Sequence, residues 1–147
     1  MAKIELKNFN AYQDVMRELE LSVPRIIKPA VYDGAAIVAD EVRRHLRRSL
    51  GKKASGDLEK SMGLAEMRTS FGFVHTKLGF EGYDRHHHPN IVKARVLEKG
   101  REDQPKRKKK PFIAPAVKAV RAKAEEAMQN TVDQQIQKIM NEKIKEG

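Results

Sequence analysis

From Val117 onward one period governs the sequence: Val117, Val120, Ala124, Met128, Val132, Ile136, Ile139 or Met140, and Ile144 follow one another at steps of three and four. Side chains at that spacing share one face of an α-helix. The spacing predicts a single amphipathic helix over about 114–144. A chain of 147 residues is the size of one ordinary domain, so 1–147 is read as one unit. The final turns of such a helix are expected to outrun the core and to fray or pack on a neighbour. Five Phe, three Tyr and no Trp leave aliphatic residues and Met to fill that core, which favours a helix-rich fold with a modest sheet.

A second stripe, Ile27, Val31, Ala35, Val38, Val42 and Leu46, predicts a helix over about 25–50 that stops at Gly51, with Arg43, Arg44, Arg47 and Arg48 mostly on the opposite face. Pro29 near its beginning predicts a kink or a late start. Gly34 costs about 1 kcal/mol relative to Ala in a helix interior, and the expected return is a close approach by another element. Ahead of this helix, Lys3–Lys7 alternates polar and apolar residues and reads as a short strand. Asn10 and Gln13 have the spacing of a capping box, and Tyr12, Val15, Met16 and Leu19 predict a short helix over 11–21. Ser22, Val23 and Pro24 are expected to end it.

Residues 51–57 read as a loop. Leu58–Arg68 and Phe71–Phe80 read as an antiparallel pair, 81–90 as a second loop, and 91–100 as either a strand or a helical turn ending at Gly100. The expected fold class is α+β: a small antiparallel sheet packed against a long central helix and a long C-terminal helix.

Several function classes drop away on composition. The chain has no cysteine, which removes disulfides, thiolate zinc sites and cysteine nucleophiles. The N-terminus shows no signal-peptide pattern, and no apolar run approaches the roughly 18 residues of a membrane span, so the reading is a soluble, unsecreted protein. His86, His87 and His88 lie near Asp84, but adjacent residues on an extended chain point to alternate sides, so at most two of the three share an ion easily. A solvated loop or an inter-subunit contact is favoured there, and His75 reads as a packing or surface residue. No Ser-His-acid grouping, paired-carboxylate motif or Gly-rich phosphate loop is present. The reading is a non-enzymatic protein with no metal and no cofactor; an enzyme built on the histidine loop is the least favoured alternative.

The formal charge of +10 would attract DNA, RNA or an acidic protein surface. It is concentrated in Arg101, Lys106, Arg107, Lys108, Lys109 and Lys110, each able to neutralise a phosphate. The loop's one aromatic neighbour, Phe112, sits in an apolar turn suited to burial, and no stacking platform or nucleic-acid module accompanies it. An assembly loop is therefore weighed beside a nucleic-acid arm. Pro111 and Pro115 restrict the backbone around Phe112 and Ile113, and Pro115 can open a helix without losing an intrahelical bond. PFIAPA is thus expected to be an anchor.

Three stretches together resemble the tail-component or tail-completion proteins of long-tailed bacteriophages. Ser55 to Met62 (SGDLEKSM) is similar to that family's Thr/Ser-Gly-x-Leu-x-x-Ser-Ile, which leads into the sheet, with Gly56, Leu58 and Ser61 in the matching places. Ala94 to Gly100 (ARVLEKG) resembles its apolar stretch closing on Glu-x-Gly, here Glu98 and Gly100. Pro111 to Ala116 (PFIAPA) is similar to its Pro-Phe-Leu-x-Pro-Ala, with Pro111, Phe112 and Pro115 matching. Lys99 stands where the family usually has an aromatic, and Arg101 where a Thr is common. The resemblance implies a structural virion protein, made in the bacterial cytoplasm and placed at the neck, that joins the tail tube to the head-side connector as a subunit of a ring, sixfold by analogy. Its implied partners are connector and tail-tube proteins, with nonspecific contact to DNA. The main alternative is a basic DNA- or RNA-binding accessory protein.

Overall fold

The computed structural model describes the backbone of residues 2–51, 54–101, 103 and 108–146, and the side-chain surroundings of those lying between 13 and 142. Its first element is a single helix, α1, spanning Ala2–Leu50. This overturns the expected strand at Lys3–Lys7, the separate helix over 11–21 and the break at Ser22–Pro24. The alternation at 3–7 is short, and its Lys, Glu and Leu are good helix formers. Pro24 and Pro29 both lie inside the helix. Each removes one donor and strands a carbonyl four residues back. Both are exposed while Ser22, Ile26 and Ala30 between and beside them are buried, so water can serve the stranded carbonyls while packing holds the opposite face.

The remaining elements follow in order. α2 (Asp57–Ser61) leads into β1 (Met62–Leu64), then β2 (Arg68–Ser70), β3 (Phe73–His75) and β4 (Leu78–Phe80), followed by α3 (Asn90–Lys99) and α4 (Ile113–Glu146). The first residues of the expected strand 58–68 are thus helical, and 91–100, ambiguous in the sequence, forms a helix. The class is α+β, with a small antiparallel β region beside two long packed helices.

α1 and α4 run antiparallel. Val42 and Leu46, late in α1, share a cluster with Phe112 and Ala116 at the start of α4, whereas Asp33 accepts a hydrogen bond from Thr131 further along it. The buried residues step by four on both helices: Ser22, Ile26, Ala30, then Val42 and Leu46 on α1; Phe112, Ala116, Val120 and Ala124 leading into and along α4. Rows at four-residue spacing are one of the ridges by which helices interlock. Small side chains occupy the contact line, and a Cβ added to Gly34 would come within 2.5 Å of Met128 Sδ and 3.5 Å of the Ala124 carbonyl oxygen. Gly34 therefore sits at a close approach. The stripe read from larger residues is displaced accordingly: Ile27 and Val31 are only partly buried, and Val117 is exposed.

The β region is one hairpin in two registers. β1 pairs with β4 through Met62↔Phe80 and Leu64↔Leu78, and β2 pairs with β3 through Arg68↔His75 and Ser70↔Phe73. Three residues on one side oppose two on the other between these segments, which is a β-bulge. Ala65 N–H donates to the Lys77 carbonyl at 2.8 Å, and the Thr76 hydroxyl donates to the Ala65 carbonyl at 2.6 Å. The hairpin closes on Phe71 and Gly72, with φ of 52° and 79°. Phe71, expected to open a strand, lies instead in a two-residue turn with both residues left-handed, the arrangement that favours Asn-Gly. Its ring is 98% exposed.

A Phe at that turn position combines backbone strain with a fully hydrated ring. Phe71→Asn is expected to stabilise the isolated protein by about 1 kcal/mol. Chemical denaturation would check it, and an unchanged or lower stability would show that the ring or its turn is supported in a way the fold does not reveal.

Candidate functional site

The three motif stretches, far apart in sequence, meet at the end of the molecule where α1 finishes and α4 begins. α3 stops at Gly100, whose φ of 80° suits the absence of a side chain and whose N–H reaches the Val96 carbonyl at 2.8 Å. On the return, Lys110 N–H donates to the Leu97 carbonyl at 2.8 Å, which lays the following residues against α3. Glu98 then faces the start of α4. Its carboxylate accepts the backbone N–H groups of Phe112 at 2.7 Å, Ile113 at 2.9 Å and Ala114 at 3.0 Å.

The first turn of a helix presents N–H groups with no intrahelical partner. Here Glu98 takes three in succession, and Pro115, the next residue, has none to offer. That is the physical content of PFIAPA placed against Glu98. Partial burial opposes ionisation of Glu98, but the three backbone donors outweigh it and hold its pKa below the ordinary 4.5. The positive end of α4 acts in the same direction.

Phe112 is fully buried and meets the Phe80 ring edge-on, with centroids 5.9 Å apart. Leu58, Met62, Ala94 and Ala116 complete the cluster with Ala39, Val42 and Leu46 of α1. Gly56 holds a left-handed conformation at the head of α2, and the Ser61 hydroxyl donates to the Leu58 carbonyl at 2.7 Å. Pro111 is exposed, one residue before the buried ring.

Charge pairs that the sequence reading missed fasten the rest. Arg85 grips both oxygens of Asp57 at 2.9 and 3.0 Å, joining α2 to the loop before α3. These bonds hold the Asp57 carboxyl well below the usual range and raise Arg85. Asp84 Oδ1 accepts the N–H groups of His86 and His88 at 2.9 and 2.8 Å, and Lys93 Nζ lies 3.0 Å from Oδ2. The His88 N–H is the largest cause of the strongly lowered Asp84 pKa. The histidine loop is therefore organised by its backbone. His87 sits at φ 62°, and the rings of His86 and His88 stand 6.4 Å apart. Among the described residues no group of three His, Cys, Asp or Glu side chains is placed to hold a metal ion. His75 is paired across the hairpin with Arg68.

The basic segment divides. Arg101 is bound to Asp103 through two bonds of 3.0 Å. Lys108, Lys109 and Lys110 are exposed. Lys106 and Arg107 lie outside the described residues. Lys108 and Lys110 rim a groove of about 930 Å³ whose floor is apolar: Leu50, Leu58, Val92, Val96 and Leu97. The pairings that join separate elements are not local. Glu98 is 14 to 16 residues from its partners and Asp57 is 28 from Arg85, beyond the reach of any capping or helix-pair rule.

Comparisons with protein-family models, with curated proteins and with solved structures each found no match.

Glu98→Ala leaves three N–H groups at a partly buried helix start without their acceptor, and is expected to cost about 2–3 kcal/mol. A folded-state pKa held below the unfolded value means that this contribution is complete above about pH 4.5 and fades as pH falls through the lowered pKa. Urea denaturation from pH 7 to 3 should therefore show a gap between wild type and Glu98→Gln that narrows on acidification. A constant gap would mean that the charge is not what holds the cap.

Proposed function

We propose that this chain is a virion-assembly protein of a long-tailed bacteriophage, joining the tail tube to the head-side connector as a ring subunit at the neck. The observation that carries the reading is the contact of Glu98 with the first turn of α4. It ties the Glu-x-Gly stretch to PFIAPA directly, while Leu58 of the SGDLEKS stretch packs in the same cluster as Phe112. Three motifs that resemble one family's motifs thus have one shared structural reason to occur together. Their conjunction supports the assignment more than any one of them does, since Pro and Gly turns are common in unrelated chains.

The work of such a protein is binding through shape and charge, with no reaction to perform. The node fixes both ends of the segment 101–110: Gly100 closes α3 on one side, and Lys110 is hydrogen-bonded to Leu97 on the other. Lys108, Lys109 and Lys110 are displayed on this scaffold beside an apolar groove, a combination suited to a protein surface with acidic and apolar groups. Connector, tail tube and a neighbouring subunit are the partners this reading names.

The three consecutive exposed lysines also favour a second reading, a basic accessory protein that binds DNA or RNA. Phosphate contacts of this type weaken steeply with salt, with log affinity falling by about 0.9 per neutralised phosphate against log salt.

Reversing the three charges (K108E/K109E/K110E) in an infecting phage is expected to yield filled heads and separate tails under the electron microscope. Normal particles would remove this segment from the joining role. Titration of the wild-type protein with a short duplex separates the second reading: binding that stays tight at physiological salt, and loses about one unit of salt slope per lysine removed, would favour the nucleic-acid protein instead.

A further inference from the structure

We propose that the tip of the hairpin, Phe71 and Phe73 with Arg68, is a stacking platform for the bases of a single-stranded nucleic acid. Phe71 is 98% exposed and Phe73 75%. Nothing in the protein lies within 4 Å of the place a Cβ would take on Gly72 between them, so both rings are open to approach. Phe71 also holds φ at 52°, a left-handed conformation that Asn or Gly adopts with less strain. A ring that adds nothing to the core, kept at a strained position, points to a use outside the fold.

The register fixes what surrounds the rings. Ser70 pairs with Phe73 and Arg68 with His75, so these side chains share one face of the hairpin, with Arg68 and Phe73 diagonal neighbours about 7–8 Å apart. Arg68, Thr69 and Ser70 are exposed, and Arg68 has no acidic partner among the described residues. Glu66, the one acid of residues 62–80, lies in the bulge below. A guanidinium within reach of a phosphate, hydroxyls able to donate to phosphate or sugar, and bare aromatic rings are the parts from which single-strand sites are assembled. Phe71-Gly72-Phe73-Val74 also has the aromatic-Gly-aromatic-Val order of the stacking strand in RNA-binding sheets, with the difference that here Phe71 stands in the turn.

A double helix keeps its base faces stacked on one another, so a protein ring reaches them only by unstacking a step. A single strand offers them freely. Lipid interfaces reward apolar area, and here the two rings are nearly all of it: Val74 is partly buried, and Arg68, Thr69 and Ser70 are polar. The tip is separate in the chain from Lys108, Lys109 and Lys110, whose charges act on any phosphate, and it adds a surface that holds bases. Head–tail joining tests a different property, so the virion-assembly reading stands or falls apart from this platform.

The test is fluorescence anisotropy of the full chain with labelled oligo-dT and oligo-rU of about 15 nucleotides, and with a duplex of the same length, over about 50–200 mM salt. Wild type is expected to bind the single strands more tightly than the duplex. F71N and F73T should each weaken single-strand binding about tenfold at every salt, leaving the slope of log affinity against log salt unchanged, because stacking releases no counterions. R68Q should instead flatten that slope by about 0.7. Both aromatic positions are exposed, and F71N relieves backbone strain, so lost binding without a lowered melting temperature separates the platform from a folding defect. Tighter binding of either oligonucleotide supports the platform and names DNA or RNA as its source. A wild type that binds neither single strand at the lowest salt, a duplex bound at least as tightly, or F71N and F73T that bind as wild type does would each overturn it, the last two assigning the binding to lysine charge alone. So would unchanged single-strand binding in F71N/F73T with lost pelleting on phosphatidylglycerol vesicles, or with lost concentration-dependent sedimentation, which would assign the tip to a lipid surface or to a second copy.

Discussion

The carboxylate of Glu98 at the start of α4 is the interaction on which the arrangement of this protein turns. A helix as long as α4 is placed by its first turn, because a small error in direction there grows along its length. Three hydrogen bonds from consecutive N–H groups to one side chain fix both the position and the direction of that turn. They also seat Phe112, which closes the cluster formed by the end of α1, α2, the hairpin and α3. Glu98 is itself held by the Gly100 stop and by the Lys110–Leu97 bond. Charge strengthens the arrangement, since a carboxylate at a helix N-terminus is favoured by the oriented peptide dipoles.

From that origin the two long helices run antiparallel, and small residues decide how close they come. Ser22, Ala30, Gly34, Ala116 and Ala124 lie along or beside the contact line, with Met128 laid over Gly34. The sequence showed both helices plainly wherever large apolar residues recur at steps of three and four. It placed their faces less well: Val117 and Ile27 look like core residues, but Ala116 and Ile26 are buried instead. Close packing of backbones rewards small side chains that carry no hydrophobic signal of their own.

The N-terminal third was the least legible. Pro24, Pro29 and the Ser22-Val23-Pro24 sequence are genuine local punctuation, and in an isolated peptide they would end a helix. Long-range packing of α1 on α4 overrides them, and both prolines are exposed. The candidate site was legible as a set of motifs and illegible as a mechanism. The proline restraints and the burial of Phe112 follow from local rules. The Glu98 cap and the Asp57–Arg85 clamp join residues across loops, where spacing has no period to reveal them, whereas Asp84 holds the histidine loop through N–H groups two and four residues on, a turn that Asp commonly makes. In the hairpin, antiparallel pairing followed from alternation, but the bulge and the left-handed Phe71 did not.

The same pairings change what the charge of +10 can do. Each ion pair engages one cation and one anion, so the pairs leave the net charge as it is and fix where its excess is displayed: Arg43 is set with Asp40, Arg44 with Glu41, Arg47 with Glu59, Arg85 with Asp57, Lys93 with Asp84, Arg101 with Asp103 and Arg121 with Glu125. Seen from a Debye length away, about 10 Å at 0.1 M salt, each such pair is close to neutral. What remains around the groove is a short run of exposed lysines fixed to a rigid node. A diffuse field gathers any polyanion and is screened by salt, whereas a few charges set beside apolar side chains act at contact range, where water and ions are displaced. A partner for this groove would have to cover its apolar floor and meet its lysines together, and a phosphate backbone offers only the second of these.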